Sequence, residues 1–159
     1  MISLVRVDDR LIHGQVTVGW VPYLQASQIV VVNDRLSADP VLSAIVKAGG
    51  TVDTETSVMS VTEAAAAFEA GGFESGRIIM LFETLGDVHR ARSEGLKFSA
   101  LNLGGIRGSG EGLRVGDAIV LSEDDQRFLR DLRRQGVTVE VRLMPGDQPN
   151  LLAGEGERS

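Results

Sequence analysis

Ile2-Ser3-Leu4-Val5-Arg6-Val7-Asp8-Asp9-Arg10-Leu11-Ile12-His13-Gly14-Gln15-Val16 decides how the rest of the chain is read. The segment Ile2 to Val7 is short and rich in branched side chains, as a strand is, and from Gln15 onward Val16, Gly19, Trp20, Tyr23 and Leu24 recur at helical spacing. The charged middle is therefore a strand-to-helix loop. It carries His13, one of only two histidines in the chain. In an open α/β sheet such a loop lies at the carboxyl edge of the strands, where ligands bind. The helix that follows turns unpaired N–H groups and a positive dipole end toward an anion.

Outward from this loop, strands and helices alternate. Gln28 to Asn33 holds four consecutive apolar residues and predicts a central strand covered on both faces, with Asn33-Asp34 ending it at the His13 edge. Asp39-Pro40 predicts a helix start, Val41, Leu42, Ile45 and Val46 its apolar stripe, and Gly49-Gly50 its stop. Thr51 to Val58 predicts a strand nearer an edge. Ser60-Val61-Thr62-Glu63 is a capping box before an alanine-rich helix closed by Gly71-Gly72. Arg77 to Phe82 predicts a second buried strand, Thr84 to Glu94 a helix, and Phe98 to Leu103 another strand. Gly104 to Gly112, five glycines in nine residues, predicts a loop. Ala118 to Leu121 predicts a short strand. Ser122-Glu123-Asp124-Asp125 caps the last helix, whose Phe128, Leu129 and Leu132 face the core before Gly136, and Val137 to Leu143 is the last strand. This alternation predicts an α/β fold: an open, mostly parallel central sheet of about seven strands, the first of them central, with helices on both faces.

The 159 residues are expected to form one domain, 1–159, enough to bury about two thirds of the unfolded surface in a single core. Residues 146–159 read as a polar tail that Leu151 and Leu152 pin before it frays. A net charge of −6 argues against a general nucleic-acid binder, which would show a basic face, although fourteen arginines leave room for a local positive site. The absence of cysteine excludes disulfides, thiolate metal sites and thiol nucleophiles, and two distant histidines make no metal constellation. No basic-then-apolar leader and no apolar stretch of roughly eighteen residues is present, so a cytoplasmic protein is expected, reaching any membrane through protein partners.

His13 is the candidate nucleophile, because neutral imidazole attacks phosphorus through one nitrogen while a hydrogen bond holds the other. Arg10, three residues earlier, is placed to meet charged phosphoryl oxygens, and the N–H groups of Gly14 and Gln15 to reach the same oxygens. Asp8, ahead of Asp9, is the candidate partner that orients the imidazole or Arg10. Two acids after a first strand also suit a magnesium-binding receiver, but that needs an acceptor aspartate ending the third strand, where Ser57 stands. A dinucleotide-binding turn needs a glycine-rich loop after the first strand, and this loop has only Gly14. The later glycine cluster reads first as a flexible turn; Asn102 and Arg107 beside it leave open that it lines the phosphate site or a docking surface. His89, in the charged stretch Asp87 to Arg92, reads as a surface helix residue, Trp20 as core or rim packing, and Arg127, Arg130, Arg133 and Arg134 as a solvated helix face.

Arg6 to Val16 resembles the active-site signature of the enzyme IIB component of mannose/fructose/sorbose-type sugar phosphotransferase systems. Val31-Val32-Asn33-Asp34, Leu101-Asn102-Leu103-Gly104-Gly105 and Val139-Glu140-Val141-Arg142 followed by Pro145 are similar to segments of that family, so the resemblance spans roughly Met1 to Leu152. It implies that His13 takes a phosphoryl group, through Nδ1, from a phosphorylated IIA partner and delivers it to a sugar held by membrane IIC/IID components, with no cofactor. The segment Arg107 to Arg114 departs from the more basic one common in the family, which bears on partner contacts. A regulatory phosphoprotein or docking module keeping the same loop without moving sugar is the alternative. The sequence names neither the sugar nor the oligomeric state, a homo-oligomer included.

Overall fold

Ile29 to Val32 and Ile78 to Phe82 are buried without exception, which happens only to strands with neighbours on both sides and helices on both faces. The computed structural model describes residues 1–152. Its elements are β1 (Ile2–Asp8), a π-helical segment (Gln15–Trp20), α1 (Val21–Leu24), β2 (Gln28–Val32), α2 (Asp34–Ala38), α3 (Pro40–Ala48), β3 (Glu55–Met59), α4 (Val61–Glu69), β4 (Ile78–Phe82), α5 (Leu85–Ser93), β5 (Ala100–Gly105), β6 (Leu113–Val115), β7 (Ile119–Leu121), α6 (Glu123–Arg134), β8 (Thr138–Val141) and β9 (Asn150–Leu151). The main sheet has the order β3-β2-β4-β1-β5-β8-β9, with β1 fourth of seven. All its pairings are parallel except that of β9. The α/β architecture with β1 central is therefore as expected.

The register carries Val7 beside Phe82 and Val32 beside Phe82, so the ends of β1, β2 and β4 lie together. Asn33 leaves β2 at the edge from which the His13 loop leaves β1. On one face Val61, Ala64, Leu85, Val88, Ala91, Leu129 and Leu132 bring α4, α5 and α6 against Val5, Val7, Leu101 and Leu103. On the other, Leu11, Val16, Trp20, Val21 and Leu36 pack on Ile29, Val31, Ile79 and Leu81, with Leu42 and Val46 of α3 alongside. The chain thus leaves β1 toward one face and returns from β5 through α6 on the other. That divergence between two adjacent strands opens a crevice at their carboxyl ends.

Four local readings change. The strand at Ala118 to Leu121 is β7, which pairs antiparallel with β6 as a separate hairpin and touches the sheet edge through an Ile106–Ile119 bridge. The seventh strand is instead β9, drawn from the expected tail: Leu151 and Asn150 pair antiparallel with Glu140 and Val141, and the Leu152 N–H donates to Val139 O at 3.0 Å. The remainder of that tail, 153–159, lies outside the described residues. Thr51 to Thr54 forms a turn rather than strand, because the Thr54 hydroxyl bonds Thr51 at 2.8 Å and the Thr54 N–H donates to Thr51 O. Gly104 and Gly105 finish β5 and are buried. An additional short helix, α2, starts where Asn33 Oδ1 accepts from the Leu36 N–H at 3.0 Å.

The helix starts read from sequence hold. Asp39 caps α3 through the N–H groups of Val41 and Leu42, and capping boxes open α4 at Ser60–Glu63 and α6 at Ser122–Asp125. Ser60→Ala should therefore destabilise the fold by about 1 kcal/mol, read by urea unfolding. It should leave phosphoryl chemistry at His13 untouched, since α4 packs on the opposite face of the sheet from that loop.

Candidate active site

Strand alternation sets the site. Val5 and Val7 point into one core, so Arg6 and Asp8 point together to the other face, beside the π-helical segment. Parallel register then lines Arg6 up with Asn102 of β5, and Asn102 with Glu140 of β8. Arg6 is 0% exposed. Its Nη1 donates to Asn102 Oδ1 at 2.7 Å and to Arg142 O at 3.0 Å; its Nη2 donates to Asp8 Oδ2 at 3.1 Å and to Gln15 Oε1 at 3.0 Å. The guanidinium lies 5.7 Å from the Trp20 ring centroid, and the Trp20 indole N–H is anchored on Leu143 O at 3.0 Å. Among the described residues, Arg6 Nε has no hydrogen-bond partner.

Asp8, also 0% exposed, is the hub. Its Oδ2 accepts from Arg6, from Arg10 Nη2 at 3.0 Å and from His13 Nε2 at 2.8 Å; its Oδ1 accepts from Arg10 Nε at 3.0 Å and the Arg10 backbone N–H at 3.1 Å. Burial pushes this carboxyl up, but the hydrogen bonds from Arg10, then those of His13, outweigh it and hold it down at about 2. An ionised carboxylate only accepts, so the His13 proton sits on Nε2 and the lone pair on Nδ1. The Gln15 N–H points at Nδ1 from 3.4 Å. Burial, aided by the charges of Arg10 and Arg6 and opposed by Asp8, lowers the His13 pKa, so the ring is neutral at pH 7.

The loop is held in shape by Leu11, which takes a left-handed φ of 56° while burying its side chain and donating its N–H to Asp8 O at 2.9 Å. Gly14 has an ordinary φ of −52°, and a Cβ there would meet nothing within 4 Å. What the missing side chain leaves is open space beside His13. The N–H groups of Val16 and Thr17 donate to His13 O at 2.9 and 3.0 Å, so the first helical turn is partly closed on itself. Gln15 contributes more than its backbone: Oε1 accepts from Arg6 and from Arg10 Nη2 at 2.9 Å.

Asp9 plays no part in orienting His13. It binds Arg107, accepting from the backbone N–H at 2.9 Å and from the guanidinium, and so ties the glycine-rich loop to the β1 loop. Asn33 caps α2 and donates to Glu83 Oε2 at 2.6 Å. His89 is not simply a surface residue: it stacks 4.8 Å from Phe128 and lies 3.5 Å from Asp131, between α5 and α6. Sequence reasoning missed Arg6, Gly104 and Gly105. The available signal was a charged residue at an inward position of a central strand, with Asn102 equally misplaced between Leu101 and Leu103. Any side chain at Gly104 would run into the Arg6 guanidinium, and one at Gly105 would crowd Asp8 Oδ1 at 3.0 Å. Among the described residues no cluster of His, Asp and Glu could hold a metal ion.

The depressed Asp8 carboxyl contributes stability that is present above its unfolded pKa near 4 and lost as pH falls toward 2. The pH-dependent part is about 2 kcal/mol. Urea unfolding of wild type and Asp8→Asn between pH 7 and pH 2.5 should show the two curves converging across that window, and parallel curves would contradict the assignment.

The sequence model of the family described as the PTS system sorbose subfamily IIB component, PTS standing for phosphotransferase system, matches residues 2–153. The PTS fructose-specific EIIB component of Bacillus subtilis (strain 168) is 29% identical over 146 residues, covering 92% of this chain and 90% of that protein. The PTS mannose-specific EIIAB component of Escherichia coli (strain K12) is 30% identical over 147 residues, 92% of this chain but 46% of that longer protein. The crystal structure of the IIBSor domain of the sorbose permease from Klebsiella pneumoniae superposes with a TM-score of 0.85 at 28% identity, covering 94% of this chain and 91% of that one. No helix among the described residues is long and apolar enough to cross a membrane. The chain belongs to the sorbose subfamily of PTS IIB components, and is a phosphotransferase subunit of a sugar transport system.

Proposed function

We propose that His13 is the phosphoryl carrier of this IIB component, taking the group from a phosphorylated IIA protein and giving it to a sugar held by membrane IIC/IID components. The observation that supports it best is the Nε2–H···Asp8 bond of 2.8 Å, which leaves the Nδ1 lone pair as the nucleophile. In the first step the Nδ1 lone pair attacks phosphorus and the N–P bond of the donor phosphohistidine breaks, its electron pair returning to the donor nitrogen. The proton stays on Nε2, hydrogen-bonded to the Asp8 carboxylate, whose negative charge balances the charge the ring gains. In the second step a sugar hydroxyl attacks, the Nδ1–P bond breaks, and the hydroxyl proton leaves to a base on the sugar-binding side.

Positioning and charge stabilisation dominate phosphoryl transfer. Arg10 supplies the charge and the Gln15 N–H a fixed donor, while the open space in front of Gly14 admits the incoming group. The loop needs no cofactor for these steps. The chain is expected to work at the cytoplasmic face of the membrane, held there by protein partners.

Incubation with a phosphorylated IIA donor, followed by gentle mass spectrometry, tests the assignment. An acid-labile, base-stable label should appear on wild type and His89→Ala and vanish in His13→Ala; a label surviving in His13→Ala would overturn it. Arg10→Ala should take up the label ~100-fold more slowly, as loss of one charge-stabilising group commonly does. Transfer of the label onward to sugar in membranes carrying IIC/IID then separates transport from a purely regulatory role.

A further inference from the structure

Two arginines share one carboxylate here, and they differ in every respect that governs movement. The Arg10 side chain is 36% exposed, and its only hydrogen bonds among the described residues are to Asp8 and Gln15. Arg6 is wholly enclosed: Asn102 and the Arg142 carbonyl take one nitrogen, Gly104 lies directly against the guanidinium, and Trp20 covers it. Asn102 is itself braced by Glu140 Oε1 at 3.2 Å and Arg142 O at 3.1 Å. Nothing lets Arg6 swing toward the space in front of His13.

Resting on the phosphocarrier reading, we propose that Arg6 is a positioning residue, the fixed counter-charge that holds Asp8 and Gln15 while Arg10 moves from Asp8 onto the phosphoryl oxygens. In the resting site Arg10 is spent on Asp8 through Nε and Nη2. When those two bonds open, Asp8 keeps three donors that do not move: Arg6 Nη2, the Arg10 backbone N–H and His13 Nε2–H. Gln15 Oε1 likewise keeps Arg6. The carboxylate therefore stays ionised and in place, the imidazole keeps its tautomer, and the Arg6–Asp8 pair stays neutral as a unit. The incoming phosphoryl dianion then meets the whole charge of Arg10 rather than the field of a bare aspartate. The Nδ1–P bond forms as the donor N–P bond breaks, and no proton changes place on His13.

This division of labour gives the two arginines different signatures. In protein labelled with nitrogen-15 on histidine and arginine, long-range spectra of the unphosphorylated form should show the Nε2–H tautomer of His13 in wild type and in Arg10→Ala. In Arg6→Gln the tautomer should become mixed, and in Arg6→Lys partly restored, with phosphoryl uptake ~10- to 100-fold slower in the former, as loss of an orienting partner typically causes. Because a buried arginine is a demanding site to change, the second measurement uses wild type alone. After phosphorylation with the small-molecule donor phosphoramidate, the Arg10 Nε signal should shift and the Arg6 signal should stay. A shift of Arg6 with Arg10 unmoved, or an unchanged tautomer and rate in folded Arg6→Gln, overturns the proposal. Failure of His13 to take any label would instead overturn the phosphocarrier reading and with it the movement of Arg10, while the tautomer spectra still decide what Arg6 does.

Discussion

A carboxylate with no solvent exposure, Asp8, is the constraint on which the active end of this molecule depends. Burying a charge costs several kcal/mol unless partners surround it, and removing one partner of such a pair is strongly destabilising. The chain meets that demand with five hydrogen bonds from three residues, Arg6, Arg10 and His13. Each partner then acquires demands of its own. Arg6 must be enclosed, so Asn102, the Arg142 carbonyl and Trp20 close around it and Gly104 stays bare. Arg10 and His13 must return to the same carboxylate within five residues, so Leu11 accepts a left-handed backbone that it would otherwise avoid.

The same carboxylate settles the chemistry of the imidazole. By accepting from Nε2–H it assigns the proton to that nitrogen and leaves the lone pair on Nδ1, the atom proposed to attack phosphorus. Its own charge would raise the imidazole pKa, but burial and the two arginines prevail, and the ring stays neutral, as the proposed phosphoryl chemistry requires. One buried acid thereby fixes the tautomer, while burial of the ring, helped by the two arginines, keeps it neutral against that acid's pull.

The crevice between β1 and β5 places these groups where a partner can reach them. The chain leaves β1 toward one helical layer and β5 toward the other, and the gap is bridged by the Asp9–Arg107 pair rather than by a helix. The glycines at the end of β5 have a steric task there. They are strand residues packed beneath a guanidinium and a carboxylate, while the later glycines of that loop, Gly108 and Gly110, take positive φ in open space.

Much of the fold was legible because its signals are local. Hydrophobic runs such as Ile78 to Phe82 and caps such as Ser60, Asp39 and Ser122 act within a few residues, so the sequence by itself determined the alternation of elements, the central β1 and the loop carrying Asp8, Arg10 and His13. Tertiary structure alone decided the rest. Whether Ala118 to Leu121 joins the sheet or forms a hairpin depends on which backbone edge is free, and β9 exists only because β8 leaves one. Arg6 looked like a strand residue of no special note, because its meaning comes from Asn102, 96 residues away, and Arg142, 136 away. Long-range hydrogen bonds of a buried charge leave no period in the sequence; only the parallel register of β1, β5 and β8 brings them together.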